Sequence, residues 1–390
     1  MSRSRAILFL VFTLVTASLR AASLEPHLRA LETLRGRKFV HEVKHVAIDR
    51  SALPKALREQ MAQSIPYSLD DWTTVIRALQ LVDARSSDEV VPQLIDLYQA
   101  QVLAYYDPQS RTYYSINQLP EAIAKMEGMV EILEEGVIVH ELTHALQDQH
   151  FRIGEKTQAL RKDTDAGMAY HAVIEGEATL VMLAHMVSKG GASIDDVIKN
   201  EAMLNSMMAM AASQDSGIDA SAPKYFVESL KFPYLQGLKL VIEAYKRGGW
   251  KAVDALHADP PRSTREVLHP EEYFSKKFRA AKFVDAPLVK AGKTVSVEHL
   301  GEFHWGFLAG AANARGWVDD RVQVAVNAKN EPTVLVETKW DSPDNATAFA
   351  AAYEKFLRGR GFADARVKRT GASVKAAYGA DKGLVESYLP

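Results

Sequence analysis

His140 and His144 stand four residues apart in the stretch VIVHELTHAL at 137–146. On a helix that spacing puts both imidazoles on one face, one turn apart, within reach of a single ion. Glu141, one position on from His140, reaches a water beside that ion instead of the ion itself. Two nitrogen ligands and a carboxylate base are the parts needed to activate water for attack. The neighbouring Val137, Ile138, Val139, Leu142, Ala145 and Leu146 are apolar and suit a buried helix. Imidazoles inside such a helix require polar partners, and a metal ion supplies one.

The same letters occur a second time. Residues 41–45 read HEVKH, but their surroundings, KFVHEVKHVAID (38–49), alternate with the period of a strand. Residues four apart on a strand are separated by about 13 Å, too far to share an ion. Lys44 also puts a positive charge inside the motif, where it repels a dication. His41 and His45 are therefore set aside as ligands.

Catalytic zinc sites use three protein ligands and keep one position for water. Glu175, in HAVIEGEATLVMLAH (171–185), is the favoured third ligand. It follows His144 at a distance that leaves room for a loop and a returning helix, which is predicted to start near Thr164 or Asp165. Glu177 is the near alternative. It points about 200° round the helix from Glu175, so only one of the two can face the ion. His150, six residues after His144, is the other alternative. It can serve only if the helix turns at Gln147, a residue that tolerates the left-handed conformation poorly.

The elements that must position these groups sit in a chain of 390 residues, 47% hydrophobic and 25% charged, as in soluble globular proteins. The 47 basic and 49 acidic residues leave a net charge of -2, which argues against a nucleic-acid binder working through bulk positive charge. There is no cysteine. Disulfide scaffolds, Fe–S clusters, thiol nucleophiles and cysteine-containing zinc sites are excluded, so any metal must sit on His, Asp or Glu. Residues 1–22 read as a secretory signal peptide: Arg3 and Arg5, then the apolar Ala6–Leu19, then small residues. The apolar stretch is short for a span and lacks a stop-transfer flank. The expected location is periplasmic or secreted, with no stable membrane span once the leader is removed.

The expected fold class is α+β. Residues 23–100 are mostly helical in pattern and are either a prodomain or an integral part of the fold. Residues 101–284 carry the chemistry. Residues 285–390 read as a small α+β domain, reached through a linker near Phe283–Lys293. In it, strands are expected at Val322–Asn327, Thr333–Trp340, Ala365–Lys368 and Leu384–Leu389, and a helix at Asn345–Leu357. Upstream, Val102–Tyr106 and Arg111–Ser115 flank a turn with Pro108 at its second position, a hairpin pattern. Its four tyrosines, Tyr105, Tyr106, Tyr113 and Tyr114, are read as cross-strand packing, with the lining of a substrate edge as the other possibility.

HELTH at 140–144 and the Glu175 segment together resemble the gluzincin class of zinc metallopeptidases, which includes the thermolysin-like enzymes. The chain is more similar still to a group of exported bacterial and archaeal proteins that carry HExTHALQDQHF (here 140–151) and EG[ED]AT (here 175–179). These also share a YYDPxxRTYY-like hairpin (105–114), an FPYxxG stretch (232–237) and a GGWxAVD…PPxSTxxVLHPxxY run (248–273). The resemblance covers about residues 95–275, with weaker echoes at GWVDDR (316–321). It implies a zincin-like domain in which His140, His144 and Glu175 hold Zn²⁺, Glu141 is the general base and the substrate is a polypeptide. It also implies a His or Tyr that steadies the oxyanion, with His269, Tyr234 and Tyr273 as the candidates. The thermolysin-like pattern has an Asp four residues after the ligand Glu, supporting a zinc histidine. Here that position is Thr179, and Asp148 or Asp165 are the possible replacements. The competing expectation is a non-catalytic zincin-fold binding protein of the cell envelope.

Overall fold

The computed structural model describes residues 9–10, 24–83, 90–118, 130–213, 222–290 and 292–390. It is a mixed α+β structure with a four-stranded and a five-stranded sheet. Of these, the residues within 1–64, 91–159 and 170–260 form one compact unit, and those within 65–90, 160–169 and 261–390 form a second. The expected leader, residues 1–22, lies outside the described residues apart from Phe9–Leu10. Among the described residues no helix is long and apolar enough to cross a membrane.

The first unit is organised around the helix Val130–Phe151, which carries the HELTH residues. That helix is apolar on more than one side because it is covered on more than one side. Val137, Ile138, Leu142 and Ala145 pack against Leu103, Ala104, Tyr106 and Tyr113 of the hairpin. Val139 and Leu146 pack against Leu31 of the helix Glu25–Arg35 and Val181 of the helix Thr164–Lys189. The hairpin strands are Ala104–Asp107 and Thr112–Asn117, paired antiparallel. Asp107 fixes the turn between them by accepting from the backbone N–H of Gln109 at 3.0 Å and of Ser110 at 3.2 Å. Lys44–Asp49 adds in parallel to Thr112–Asn117, and Phe9–Leu10 adds antiparallel to Ala104–Asp107. The expected strand character of 38–49 is thus realised over Lys44–Asp49, which contains His45.

The helix Thr164–Lys189 crosses the long helix Lys224–Ala258 within this unit at a contact built from small residues. A Cβ on Gly176 would overlap the backbone of Gly237, and one on Gly237 would overlap the backbone of Ala172. Only the absence of side chains allows the two backbones to approach so closely. The contact lies next to Glu175 on one helix and one turn after Tyr234 on the other.

In the second unit the strand order is Lys293–Glu298, Trp317–Val326, Pro332–Trp340, Ser373–Gly379, Arg366–Thr370, all antiparallel. The helix Pro343–Gly359 buries Ala346, Phe349, Tyr353 and Leu357. Its start is set by Ser342, whose hydroxyl accepts from Asn345 N–H at 3.2 Å, and by Pro343 in the first turn. The expected strand at Leu384–Leu389 is instead the helix Lys382–Tyr388. Asp381 caps it through Leu384 N–H at 2.9 Å. Leu384, Val385, Tyr388 and Leu389 recur at helical spacing and pack on Leu335 and Ala377 of the sheet. The strand Ser373–Gly379, not anticipated, pairs on both edges.

Candidate metal centre

His140 Nε2 lies 3.0 Å from Glu175 Oε2, and His144 Nε2 lies 3.6 Å from the same oxygen. One ligand atom from each of the three residues falls within 4.8 Å of the others, and all three side chains are buried. Two histidines from one helix and a carboxylate from another thus converge on one point, as their spacing requires. Two imidazoles and a carboxylate form a donor set that could hold a metal ion. The residues fit such an ion in a second respect. Glu141 is buried beside the group, with Oε2 accepting from the backbone N–H of Tyr106 at 2.9 Å and Oε1 without a hydrogen-bond partner. A buried carboxylate oxygen left in that state is costly and marks a place for a polar group that the protein itself does not supply.

Electrostatics favour the ligand-competent forms. Burial lowers the His140 pKa to about 4, so the imidazole is neutral at neutral pH, as metal ligation requires. Burial alone would raise Glu175, but its contacts with the surrounding imidazoles, His144 first and then His140 and His171, outweigh it and hold Glu175 well below the usual carboxylate range. Glu141 moves the other way. Burial, then the negative charge of Glu175, push it well above the usual range, against the hydrogen bond from Tyr106. Two carboxyl groups of one site are thereby driven apart in basicity, the pattern that separates a ligand from a proton-transfer group.

The alternative ligands stand elsewhere. His150 Nε2 meets the carbonyl oxygen of Lys38 at 2.9 Å, because the helix continues through Gln147 to Phe151 and carries His150 off the motif face. Glu177 forms a buried ion pair with Arg35 at 2.5 Å. His45 Nε2 meets Ser115 Oγ at 2.8 Å and so serves the sheet. Of the three oxyanion candidates, Tyr234 sits with its ring centroid 6.1 Å from that of His140. His269 and Tyr273 belong to the second unit, where His269 Nε2 meets Glu302 at 2.6 Å and Tyr273 is buried. The hairpin tyrosines pack across the strands, with Tyr105 and Tyr114 stacked at 4.8 Å.

The supporting shell is not the one anticipated. Asp148 accepts from Gly154 N–H at 3.1 Å, and Asp165 accepts from Thr264 N–H at 2.8 Å in the second unit. The partner of His144 is Gln147, whose Oε1 lies 2.9 Å from His144 Nδ1. A signal existed in the sequence: Gln147 is three residues after His144, on the same face of an otherwise apolar helix. His171 Nε2 meets the other oxygen of Glu175, Oε1, at 3.1 Å.

A family model described as a domain of unknown function, DUF8575, matches residues 278–386. No curated protein and no solved structure matches the chain.

Proposed function

We propose that this chain is an exported zinc metallopeptidase of the gluzincin type, with a zincin-like domain that hydrolyses peptide bonds. The observation that carries the reading is the buried meeting of His140, His144 and Glu175 beside a carboxyl group, Glu141, that has one oxygen held and the other unpartnered. Export rests on the leader pattern of residues 1–22.

His140, His144 and Glu175 would hold the zinc ion, which would supply Lewis acidity toward the scissile carbonyl and a water. Glu141 accepts the proton of the attacking water through Oε1 and returns it to the leaving amine. The Tyr106 N–H, holding Oε2, keeps the carboxyl group from rotating away during that transfer. Tyr234, whose ring stacks beside His140, is the residue we assign to donate to the carbonyl oxygen as negative charge develops on it. His171, on Glu175 Oε1, keeps the ligand carboxylate turned so that Oε2 faces the two imidazoles.

The test is metal content together with proteolysis of an unfolded protein such as denatured casein. The wild type is expected to hold one zinc per chain and to cleave. Glu141→Gln is expected to hold the same zinc and not to cleave. Stoichiometric zinc with cleavage unchanged in Glu141→Gln overturns the mechanism, and stoichiometric zinc with no cleavage by the wild type favours the binding-protein reading.

A further inference from the structure

The helix Glu25–Arg35 sends one residue deep into the same unit. Arg35 is 4% exposed. Its Nε and Nη2 donate to Glu177 Oε1 at 2.9 and 2.5 Å, and Nη2 also reaches Asp254 Oδ1 at 2.6 Å. Its guanidinium lies 4.4 Å from the ring centroid of Trp250. The other oxygen of Glu177, Oε2, accepts from Gln147 Nε2 at 2.9 Å and meets His257 Nε2 at 2.6 Å. Gln147 Nε2 donates a second time, to the carbonyl of Ile174, at 3.0 Å.

These contacts decide which way the Gln147 amide points. With Nε2 facing two acceptors, a flip would set Oε1 against the Ile174 carbonyl and the Glu177 carboxylate and would lose both bonds. Oε1 therefore faces His144. An acceptor at that place fixes the proton of His144 on Nδ1 and makes Nε2, the atom that faces Glu175, the nitrogen that would ligate a metal. Arg35 enters because a buried carboxylate without a cation would be expensive. Its fork holds Glu177 charged and in place, and Glu177 holds Gln147.

We infer that Arg35 is a positioning residue of the metal centre, acting on His144 through Glu177 and Gln147, and that the helix Glu25–Arg35 is accordingly an integral part of the metal-binding unit and not a removable prosegment. The inference rests on the metal reading of the previous section and extends it to a residue more than a hundred positions away in sequence. It requires neither catalysis nor a known substrate.

The test is the dissociation constant for Zn²⁺ and Co²⁺, measured by chelator competition on the full chain, with the fold of each metal-free protein followed by circular dichroism. Gln147→Leu removes the acceptor for His144 and leaves the Arg35–Glu177 pair intact, so it reports on the relay even if Arg35 variants fold poorly. Gln147→Leu and Arg35→Met are each expected to weaken binding about 10- to 100-fold, the range for loss of an outer-shell partner, and to shift the visible spectrum of bound Co²⁺. Arg35→Lys is expected to recover part of the loss. The double variant is expected to be no weaker than the poorer single variant, since both changes break one relay. A folded Gln147→Leu protein with wild-type affinity and spectrum overturns the inference, as does a double variant whose losses add. A wild type that binds neither metal overturns the metal reading itself, which separates the two failures.

Discussion

The backbone N–H of Tyr106 donates to Glu141 Oε2 at 2.9 Å, joining the hairpin strand Ala104–Asp107 to the carboxyl group that follows the first histidine of the motif. This bond links two levels of the structure. The strand is held by its antiparallel partner and by Tyr106, which is fully buried in the core shared with Leu142 and Ala145. The carboxyl group is thus oriented by backbone, whose position is set by packing. One oxygen is fixed and the other has no hydrogen-bond partner.

The environment of Glu141 predicts a pH signature in the metal-free protein. Its pKa is raised in the folded state, by burial and then by Glu175, above the ordinary 4.5 that it regains on unfolding. The folded state therefore binds that proton more tightly. Its stabilising effect is present in full below about pH 4.5 and is lost as pH rises through the folded value, at about 1.4 kcal/mol per pKa unit of difference. Glu175 is shifted downward, so its contribution is lost only as pH falls below 4.5 and does not overlap this window. Metal-free Glu141→Gln should melt higher than metal-free wild type at pH 8, and the gap should narrow toward pH 4.5. Thermal melts in chelator at both pH values check this. A wild type equal to or more stable than the variant at pH 8 would contradict it.

The ligand assignment makes a separate prediction. Glu175→Ala should weaken zinc binding by more than about 100-fold, beyond what an outer-shell change costs. His150→Ala should leave binding unchanged, because His150 hydrogen-bonds Lys38. Equilibrium dialysis with zinc analysis separates the two. Loss of zinc in His150→Ala alone would refute the assignment.

How much of this was legible in the sequence follows from the range of the forces involved. The pair His140 and His144 could be read because helical spacing is local; the decoy His41 and His45 was dismissed on a strand pattern that the structure realises only from Lys44, with His41 outside the strand. The helix face showed that only one of Glu175 and Glu177 could serve, and resemblance favoured Glu175. The destination of Glu177 could not be read. Arg35 is its partner across 142 positions, and no periodic signal links them. Gln147 was read only as a poor turning point, although its amide meets His144 through Oε1 and Ile174 and Glu177 through Nε2. In the second unit, the strands Trp317–Val326 and Pro332–Trp340 were visible over Val322–Asn327 and Thr333–Trp340 as alternating or continuous apolar residues, while the start of the first at Trp317 was not. Leu384–Leu389 was too short to distinguish alternation from helical spacing, and the cap at Asp381 decided it.

The helix crossing at Gly176 and Gly237 predicts a steric coupling between packing and the metal. Gly237→Ala would drive a methyl group into the backbone of Ala172. Overpacking of this kind costs about 1–3 kcal/mol or more, and relief requires the helix bearing Glu175 to shift. The variant should therefore lose stability in denaturant titrations and also bind zinc more weakly. By contrast Gly36→Asn should cost little, since the space around Gly36 is open and Asn tolerates its left-handed conformation. If Gly237→Ala matched wild type in both measurements, the crossing would not constrain the site.

Tyr234 provides the sharpest kinetic prediction. Its ring lies beside His140, carried there on the helix that Gly237 lets approach. If its hydroxyl donates to the carbonyl oxygen as charge develops, Tyr234→Phe removes an interaction stronger in the transition state than in the ground state. The expected result is a fall in kcat of about 10²- to 10³-fold, with KM changed little and zinc content unchanged. His269→Ala, altering a group that meets Glu302 in the second unit, should leave kcat within a few-fold of wild type. Steady-state kinetics on a quenched fluorescent peptide, with zinc measured on the same preparations, distinguishes the outcomes. A loss of kcat in His269→Ala with none in Tyr234→Phe would reverse the assignment. A loss in Tyr234→Phe that tracked lost zinc would make the tyrosine a support for His140 and not a donor to substrate.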